Sequence, residues 1–385
     1  MQMMEHARGL ARAGHEVHVL TVGMCDSDVS DTLEGVRFHR LGEAFEGASR
    51  ERRVAGLVRS QIRFGLRAKR MCARLQPDIV HWHSRYPCLV GVTRPPGARR
   101  GPRHVYHVHN WKQAERMTHP LLSPRRAAAL LGAVIDRRVA RNCDHVVAVS
   151  QFIRERVVAT SRVPRERISI LTNVVDADLF RPDPREPNRS GILFVGRIAA
   201  EKGIAPLIEA MVAVTRQSPE TVLSIAGPSQ DGTERGSYLQ SCRNLVARLG
   251  LEQNVRFVGA VPNRELPDLL RRSRVLTVPS VWGEPLGVVV LEGLACGIPV
   301  VASRVGGIPE LIDEGRTGLL VRPADPEALG RALLSALNDD SLQGQAATGG
   351  PAAVARHHTW NAVSERLQSI YRLALDDSRS PEEET

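Results

Sequence analysis

Short runs of β-branched and other apolar residues alternate with segments of helical period along almost the entire chain. In the first half these runs predict strands at 16–22, 36–41, 78–83, 104–109, 145–150 and 168–171. In the second half they predict strands at 191–198, 221–227, 255–261, 275–281, 299–305 and 318–321. Strands that alternate with helices are typical of βαβ units and parallel sheets. The pattern therefore predicts an α/β protein with two doubly wound, Rossmann-like domains.

The length of 385 residues also favours two domains, because it exceeds what one hydrophobic core usually supports. The segment RPDPREPNRS (181–190) has three prolines and scattered charges, which suit a linker. We therefore predict domains at 1–180 and 191–355, followed by a helix at 356–375 that crosses back to the first domain. The acidic tail, 376–385, has no apolar anchor and is expected to be disordered.

Composition argues against membrane and secreted classes. No apolar run approaches the ~20 residues that span a bilayer, and the first residues, MQMMEHARGL, lack the charged-then-apolar order of a signal peptide. We therefore expect a cytoplasmic protein. The six cysteines are scattered, without a C-x-x-C pair, so we expect reduced and mostly buried thiols.

The formal net charge of +10 raises the question of a polyanionic partner. Three of the 52 basic residues are lysines, which indicates coding bias rather than selection for charge, and we expect no nucleic-acid partner. The excess is concentrated in 50–74, where apolar residues recur at helical spacing: Val54, Leu57, Val58, Ile62 and Leu66. The solvated face of a packed helix is the favoured interpretation, and a membrane-surface patch is the alternative.

Arg197 lies at the end of the predicted strand GILFVGRI (191–198), and Lys202 follows that strand. Both side chains therefore lie in a βα loop at the C-terminal edge of a parallel sheet, where open α/β sheets bind ligands. A departing diphosphate needs positive charge and hydrogen-bond donors, which the two side chains and a helix N-terminus can supply. Ordinary surface charge is the alternative, but the presence of one of three lysines in this loop favours an anion site.

A second candidate group lies within PSVWGEPLGVVVLEGLACGIPVVASRVGGIPELI (279–312). Glu284 precedes Pro285, which predicts a helix start, and Glu292 comes eight residues after Glu284. Eight residues turn a helix by about 80°, so both carboxylates can lie toward one edge of a cleft. One can hold sugar hydroxyls and the other the two hydroxyls of a ribose, although Glu292 can also be a solvated or capping residue. The NH groups expected to face anionic oxygens are those of Leu286, Gly287 and Val288.

These segments resemble the retaining GT-B glycosyltransferases of the group-one family, numbered four in the carbohydrate-enzyme classification. The similar signatures, in the family's order, are VGRIAAEKG, FVGAVPNRELPDLLRRSRVLTVPS, EPLGVVVLE, ACGIPVVAS, VGGIPELI and GRTGLLVRPADPEAL. They cover 190–335 almost without gaps. The resemblance implies the GT-B fold, two facing Rossmann-like domains with a final helix that crosses back. It also implies transfer of a sugar, with retention of configuration, from a nucleotide-diphosphate donor.

The resemblance implies roles for individual residues of the second half. Arg197 and Lys202 match the pair that binds the donor diphosphate. Glu284 matches the acid that contacts the donor hexose, and Glu292 the acid that binds the ribose. Gly196 lets the chain approach the phosphates, and Val261 follows the position whose backbone meets the base.

In the first half, DIVHWH (78–83) resembles the family's D-x-x-H-x-H strand. His109 resembles the histidine at the junction of donor sugar and acceptor, although it can also be a hydrogen-bonded histidine at a strand end. Together with Arg197, Lys202 and Glu284, His109 completes the expected catalytic set.

Two features depart from the family's pattern. The N-G-V-D turn becomes Asn173 to Asp176, without its glycine, and the chain opens on a helix rather than on a strand and a Gly-rich loop. We therefore expect that Met1 is not the natural start and that about 15–30 upstream residues encode that strand and loop.

Neither a metal nor a cofactor is expected, because the family generally needs none and the nucleotide sugar is a co-substrate. The carboxylate pairs D-S-D (26–28) and D-A-D (176–178) do not follow strands as metal-binding carboxylates of the other major transferase fold do.

The predicted function is transfer of a hexosyl or N-acetylhexosaminyl group, preferably from a UDP-sugar, to a small hydroxylated acceptor. The opening residues resemble those of transferases that glycosylate aminocyclitols in antibiotic biosynthesis, which implies an aminocyclitol as the acceptor. An inositol phosphate or a lipid-linked glycan is the alternative acceptor. Other classes are a sugar-nucleotide-binding protein without transfer activity and a sugar-nucleotide epimerase. A pyridoxal-phosphate phosphorylase is disfavoured because none of the three lysines is a plausible Schiff-base residue.

Overall fold

The computed structural model describes residues 2–23, 29–42, 50–92, 101–111, 124–183, 189–229 and 238–376. Two compact units divide the chain. Unit 1 comprises Met1–Thr172 and Trp360–Thr385, and unit 2 comprises Asn173–Thr359.

The strands and helices alternate as the apolar pattern predicts. The strands are β1 Val17–Gly23, β2 Val29–Leu33, β3 Val36–Gly42, β4 Ile79–Trp82, β5 Arg103–Val108, β6 His145–Ala148, β7 Ile168–Ile170, β8 Ser190–Val195, β9 Leu223–Ala226, β10 Val255–Gly259, β11 Ser273–Val278, β12 Val300–Ser303 and β13 Gly318–Val321. The helices are α1 Gln2–Arg12, α2 Arg50–Leu75, α3 Arg85–Gly91, α4 Pro124–Asn142, α5 Gln151–Ser161, α6 Ile204–Gln217, α7 Tyr238–Arg248, α8 Leu266–Arg272, α9 Val288–Ala295, α10 Pro326–Asn338, α11 Asp340–His357 and α12 Trp360–Leu375.

The strands of unit 1 form two sheets, whereas the pattern predicts one doubly wound sheet. One sheet has the order β1-β3-β2, and the other has the parallel order β4-β5-β6-β7. Among the described residues, no strand pairs with both β1 and β4. The sheets stay separate because the elements between β1 and β4 pair with β1's own sheet or form α2.

The strand β2 is an addition to the predicted set. It pairs antiparallel with β3 through a tight turn in which Glu34 has a φ of 51° and Gly35 a φ of 78°. Two-residue hairpin turns require positive φ at both central positions, which glycine adopts without strain. The sequence VSDTL carries too few apolar residues for its pattern to predict a strand.

All six strands of unit 2 are parallel, in the order β10-β9-β8-β11-β12-β13. The middle strands β8 and β11 are buried, as expected for a sheet covered by helices on both faces. The order reverses direction between β8 and β11, so the loops that follow these two strands lie side by side at the carboxyl edge. Ligands bind at this position in doubly wound sheets.

The Gly- and Ala-rich stretch after residue 340 forms α11, which continues past the predicted domain end at 355 to His357. A Cβ atom on Gly350 would lie 2.5 Å from the carbonyl oxygen of Leu294. The absence of a side chain therefore allows α11 to pack closely against α9. This tertiary contact stabilises a helix that its own composition would not favour.

The boundary between the units lies at Thr172 rather than at the predicted residue 180. The amide of Val175 donates to the carbonyl of His358 over 2.9 Å, which attaches this segment to the end of α11 in unit 2. Part of the predicted linker, 184–188, lies outside the described residues. At its end, Arg189 donates to the carbonyl of Cys296 over 3.1 Å, so this arginine belongs to the packed unit.

The last helix, α12, begins at Trp360 and belongs to unit 1. It packs against α1, where a Cβ atom on Gly9 would lie 3.0 Å from Oγ of Ser364. Most of the acidic tail, 377–385, lies outside the described residues.

The basic helix α2 departs from the packed face that its periodicity predicts. Ile62 and Leu66 are 41% and 49% exposed, whereas Ala68 is buried. The described part of the chain does not include the side chains of 50–59, and it therefore leaves out Val54, Leu57 and Val58. None of the described helices is long and apolar enough to cross a membrane.

The five described cysteines are free thiols, as expected, and those that are buried are Cys88, Cys143, Cys242 and Cys296. Cys25 lies outside the described residues.

Candidate active site

The loops that follow β8 and β9 approach each other through two glycines. The amide of Gly196 donates to the carbonyl of Ala226 over 2.9 Å. A Cβ atom on Gly227 would lie 1.9 Å from the carbonyl oxygen of Gly196. Any side chain at Gly227 would therefore push the two loops apart.

Lys202 ends a short 3₁₀ turn, Ala200–Lys202, that leads into α6. The next residue, Gly203, has a φ of 73°, and a Cβ atom there would lie 1.9 Å from the carbonyl oxygen of Pro279. The amide of Val281 donates to the carbonyl of Glu201 over 3.0 Å. These contacts hold the Lys202 turn directly against the loop that follows β11.

The side chains of Lys202 and Glu284 meet across these two loops. The Nζ atom of Lys202 lies 2.5 Å from Oε1 of Glu284. The same oxygen accepts from Ser280 Oγ over 2.7 Å and from Trp282 Nε1 over 3.1 Å. The carboxylate is 8% exposed and the lysine 20% exposed, so solvent screens the ion pair only in part. Glu284 thus fixes the position of the ammonium group.

Ser280 and Trp282 are site residues that the sequence reasoning missed. They precede Glu284 by four and two positions in the loop SVWGE, after a strand that is buried at all positions but one. Two donors so close to an acid were the available signal, but their convergence on one oxygen depends on the path of the loop.

The backbone of Glu284 is held from the other side by the segment after β12. The amide of Gly307 donates to the carbonyl of Glu284 over 2.8 Å. Gly306 has a φ of 60°, and a Cβ atom there would lie 1.9 Å from the same carbonyl oxygen. Glycine is required at this position for both reasons.

The helix after Glu284 begins later than predicted. Pro285 lies outside it, and α9 begins at Val288, with Gly287 as its N-cap at a φ of 96°. The amide of Val290 is used within the turn, since it donates to the carbonyl of Gly287 over 3.0 Å. The amides of Leu286, Gly287 and Val288 donate to no acceptor among the described residues, so they remain available to a ligand.

Glu292 lies in α9. Its carboxylate has no hydrogen-bond or ion-pair partner within the described part of the chain, and burial raises the pKa of this group to about 7. Near neutral pH the Glu292 carboxyl group is therefore present in both its protonated and its ionised form.

Replacing Glu292 with glutamine tests this burial. Because the folded pKa of about 7 exceeds the unfolded value of 4.5, the wild-type carboxyl favours folding most below pH 4.5 and loses that contribution as pH rises through 7. We expect Glu292→Gln to raise the free energy of unfolding, relative to wild type, by up to about 3 kcal/mol above pH 7. At pH 4.5 the difference should vanish.

Thermal midpoints at about pH 4.5, 6 and 8 measure this effect. Glu209→Gln, an exposed change on α6, is the matched control. A stability difference that does not vary with pH would show that Glu292 is not held in a desolvated site.

The guanidinium of Arg197 lies 3.2 Å from the carboxylate of Glu201, and the Arg197 side chain is 46% exposed. Val261 follows β10 and is half-buried. Arg197, Gly196 and Val261 therefore line the same carboxyl edge of the sheet, in the loops after β8 and β10.

His109 belongs to unit 1, where it follows β5. Its Nε2 atom lies 2.8 Å from Nδ1 of His83, and its ring stacks on that of His107 with centroids 4.2 Å apart. Burial lowers the pKa of the His109 imidazole to about 4. The ring is therefore neutral at physiological pH.

The D-A-D segment (176–178) is used in a turn. Oδ1 of Asp176 accepts from the amides of Asp178 and Leu179, each over 3.1 Å. The D-S-D segment (26–28) lies outside the described residues.

Two family models match most of the chain. Residues 176–351 match the model described as Glycosyl transferases group 1, and residues 1–179 match the model described as Glycosyltransferase Family 4. The chain belongs to these glycosyltransferases. The two matches meet close to the boundary between the two units of the structure.

Curated relatives extend over nearly the full chain. The glycogen synthase of Mycobacterium tuberculosis is 28% identical over 97% of this chain and 90% of its own length. The D-inositol 3-phosphate glycosyltransferase of Thermobispora bispora is 29% identical over 97% of this chain and 89% of its own length. The names of these two relatives indicate that they act on different substrates.

Solved structures confirm the GT-B fold class. The sucrose-phosphate synthase of Thermosynechococcus elongatus is similar with a TM-score of 0.80 and 24% identity, covering 96% of this chain and 92% of that one. The Anabaena protein HepE, solved in complex with UDP and glucose, is similar with a TM-score of 0.67 and 22% identity, covering 86% of each chain.

Proposed function

We propose that this glycosyltransferase moves a hexosyl or N-acetylhexosaminyl group from a UDP-sugar to a small hydroxylated acceptor, with retention of configuration. The observation that carries the proposal is the Lys202–Glu284 pair at the carboxyl edge of the unit 2 sheet. It combines a fixed cation with an acid beside the unpaired amides at the start of α9.

The cation and the amides suit the diphosphate. Lys202 and Arg197 neutralise the phosphate oxygens, and the amides of Leu286, Gly287 and Val288 donate to them at the positive end of α9. Gly196 has no side chain to obstruct the approach of the phosphates.

The two acids suit hydroxyl groups. Glu284 orients a hexose hydroxyl through the carboxylate that also fixes Lys202. Glu292 binds the ribose hydroxyls, which supply the hydrogen bonds that its buried carboxylate lacks among the described residues. Val261 lies beside the base, in the loop after β10.

The proposed chemistry is a front-face displacement. The bond from the anomeric carbon to the phosphate oxygen breaks, and its electron pair stays on the phosphate. The acceptor oxygen bonds to the same face of the oxocarbenium-like carbon and passes its proton to the leaving phosphate. The chain's role is to stabilise the leaving charge through Lys202 and Arg197, while His109 shapes the junction of donor and acceptor.

The presence of UDP and glucose in the similar HepE structure supports UDP as the donor's nucleotide. No cofactor is needed, because the donor's phosphate serves as leaving group and proton acceptor.

The acceptor is proposed to be a cyclitol. An aminocyclitol of antibiotic biosynthesis is the first candidate. An inositol phosphate is the second, because several relatives are named D-inositol 3-phosphate glycosyltransferases.

A donor panel tests the function. The protein is incubated with UDP-, GDP- and dTDP-sugars, each with an aminocyclitol, an inositol phosphate or no acceptor, and released nucleotide and product are measured. We expect release from a UDP-sugar, and a product whose NMR coupling shows the donor's own anomeric configuration. An inverted product would reject retention. UDP binding without transfer or hydrolysis would indicate a sugar-nucleotide-binding protein. Conversion of the donor's sugar to its epimer without an acceptor would indicate an epimerase.

Transfer is expected to continue in excess EDTA. The positive charge on the leaving group comes from Lys202, Arg197 and backbone amides, so no divalent ion is required at the diphosphate. Initial rates with and without EDTA measure this. A loss of activity that manganese or magnesium restores would contradict the mechanism.

A further inference from the structure

Five histidines of unit 1 form one cluster. His81 lies in β4 and His83 directly follows that strand, and His107 and His109 occupy the equivalent positions of β5. Residues two positions apart on a strand point to the same side, so each pair faces one side of its sheet. The register pairs Trp82 with Tyr106, which places His83 beside His107 one position further on. His6, from α1, completes the cluster.

The ring nitrogens of three members converge. One nitrogen from each of His6, His83 and His107 lies within 4.8 Å of the others, the one such group of metal-binding side chains among the described residues. Three nitrogens bound to a tetrahedral zinc ion at 2.0–2.1 Å lie about 3.4 Å apart. Small side-chain rotations would therefore bring all three within bonding distance of one ion.

Five ring nitrogens of the cluster have no hydrogen-bond partner among the described residues. Both ring nitrogens of His6 and of His107 are buried without a hydrogen bond, and so is Nε2 of His81. His6 is 5% exposed and His107 is 1% exposed. Leaving a buried polar group unpaired costs about 1–3 kcal/mol. Several unpaired ring nitrogens in one place therefore indicate a ligand.

His83 has the second contact that metal-bound histidines usually show. Its Nδ1 atom lies 2.8 Å from Nε2 of His109. A metal-bound histidine normally uses its other ring nitrogen in such a hydrogen bond, which fixes the orientation of the ring. Nε2 of His83 is then the nitrogen left for a metal.

We propose that His6, His83 and His107 bind one divalent transition-metal ion of the zinc class. The fourth ligand is a water molecule or Nε2 of His81. The ion links α1 to β4 and β5, and its role is structural. It shares no residue with the set proposed for the leaving diphosphate, but His83 contacts His109. Removal of the ion should therefore lower stability and should affect transfer only through the position of His109.

Metal binding to the untagged full-length chain tests the proposal without donor or acceptor. Metals are removed with EDTA and dialysis, zinc is added and the unbound excess is removed, after which we expect about one zinc ion per chain by mass spectrometry. Cobalt should give the absorption bands of a tetrahedral nitrogen site. Zinc, but not magnesium, should raise the thermal midpoint.

His6→Gln and His83→Gln should each weaken zinc binding by about 100-fold or more, because even second-shell changes cost 10–100-fold. His15→Gln, a change at an exposed histidine after α1, is the matched control. If a variant fails to fold, X-ray absorption of the zinc-loaded wild type decides, with three or four nitrogen ligands expected. Substoichiometric zinc, unaltered binding by the two variants, or a spectrum without imidazole ligands would overturn the site.

Discussion

Lys202→Ala is expected to lower the turnover number for sugar transfer by about 100-fold or more. Removing one preorganised group that stabilises developing negative charge typically costs ~2.7–4 kcal/mol in the transition state. The ammonium group of Lys202 is preorganised by its 2.5 Å contact with Glu284. Ser280 and Trp282 still hold Glu284 after the change, so the loss reports the missing charge rather than a displaced acid.

Initial rates of nucleotide release, measured with saturating donor and acceptor, give the effect. Lys69→Ala, a change at an exposed lysine of α2, is the control for loss of one lysine. A Lys202→Ala variant that retains turnover within about threefold of wild type would remove Lys202 from the leaving-group site.

The second large effect is expected at Glu284. Glu284→Gln should lower transfer by about 10- to 100-fold, because a hydrogen bond to a charged group is worth about 1.5–3 kcal/mol. The glutamine oxygen can still accept from Ser280 and Trp282, so the loop should keep its path. The affinity for UDP, which has no sugar, should remain within about threefold of wild type.

Glu292→Gln provides the contrast, since it should weaken binding of UDP itself by removing the acid proposed for the ribose. Calorimetry with UDP on both variants, with Glu209→Gln as control, separates the two roles. If Glu284→Gln loses UDP affinity and Glu292→Gln keeps it, the two acids have exchanged roles.

Much of the fold could be predicted because local periodicity encodes it. The strands that lead to Arg197 and Lys202, and to Glu284, have buried apolar runs bounded by Gly and Pro. The predictions were wrong where one pattern competed with a contact from far along the chain. Pro285 predicts a helix start, but the N-cap of α9 is Gly287, which has a positive φ.

Residues close in the chain specify the α/β class, most of the strands and the loops that carry the candidate residues, so local periodicity was enough to predict these features. Which distant side chains meet depends on how the chain folds. Lys202 and Glu284 are 82 positions apart, and the histidine nitrogens of the unit 1 cluster come from a helix and two strands. Folding also decides the environment of Glu292, since desolvation depends on packing around a residue rather than on its neighbours in the chain.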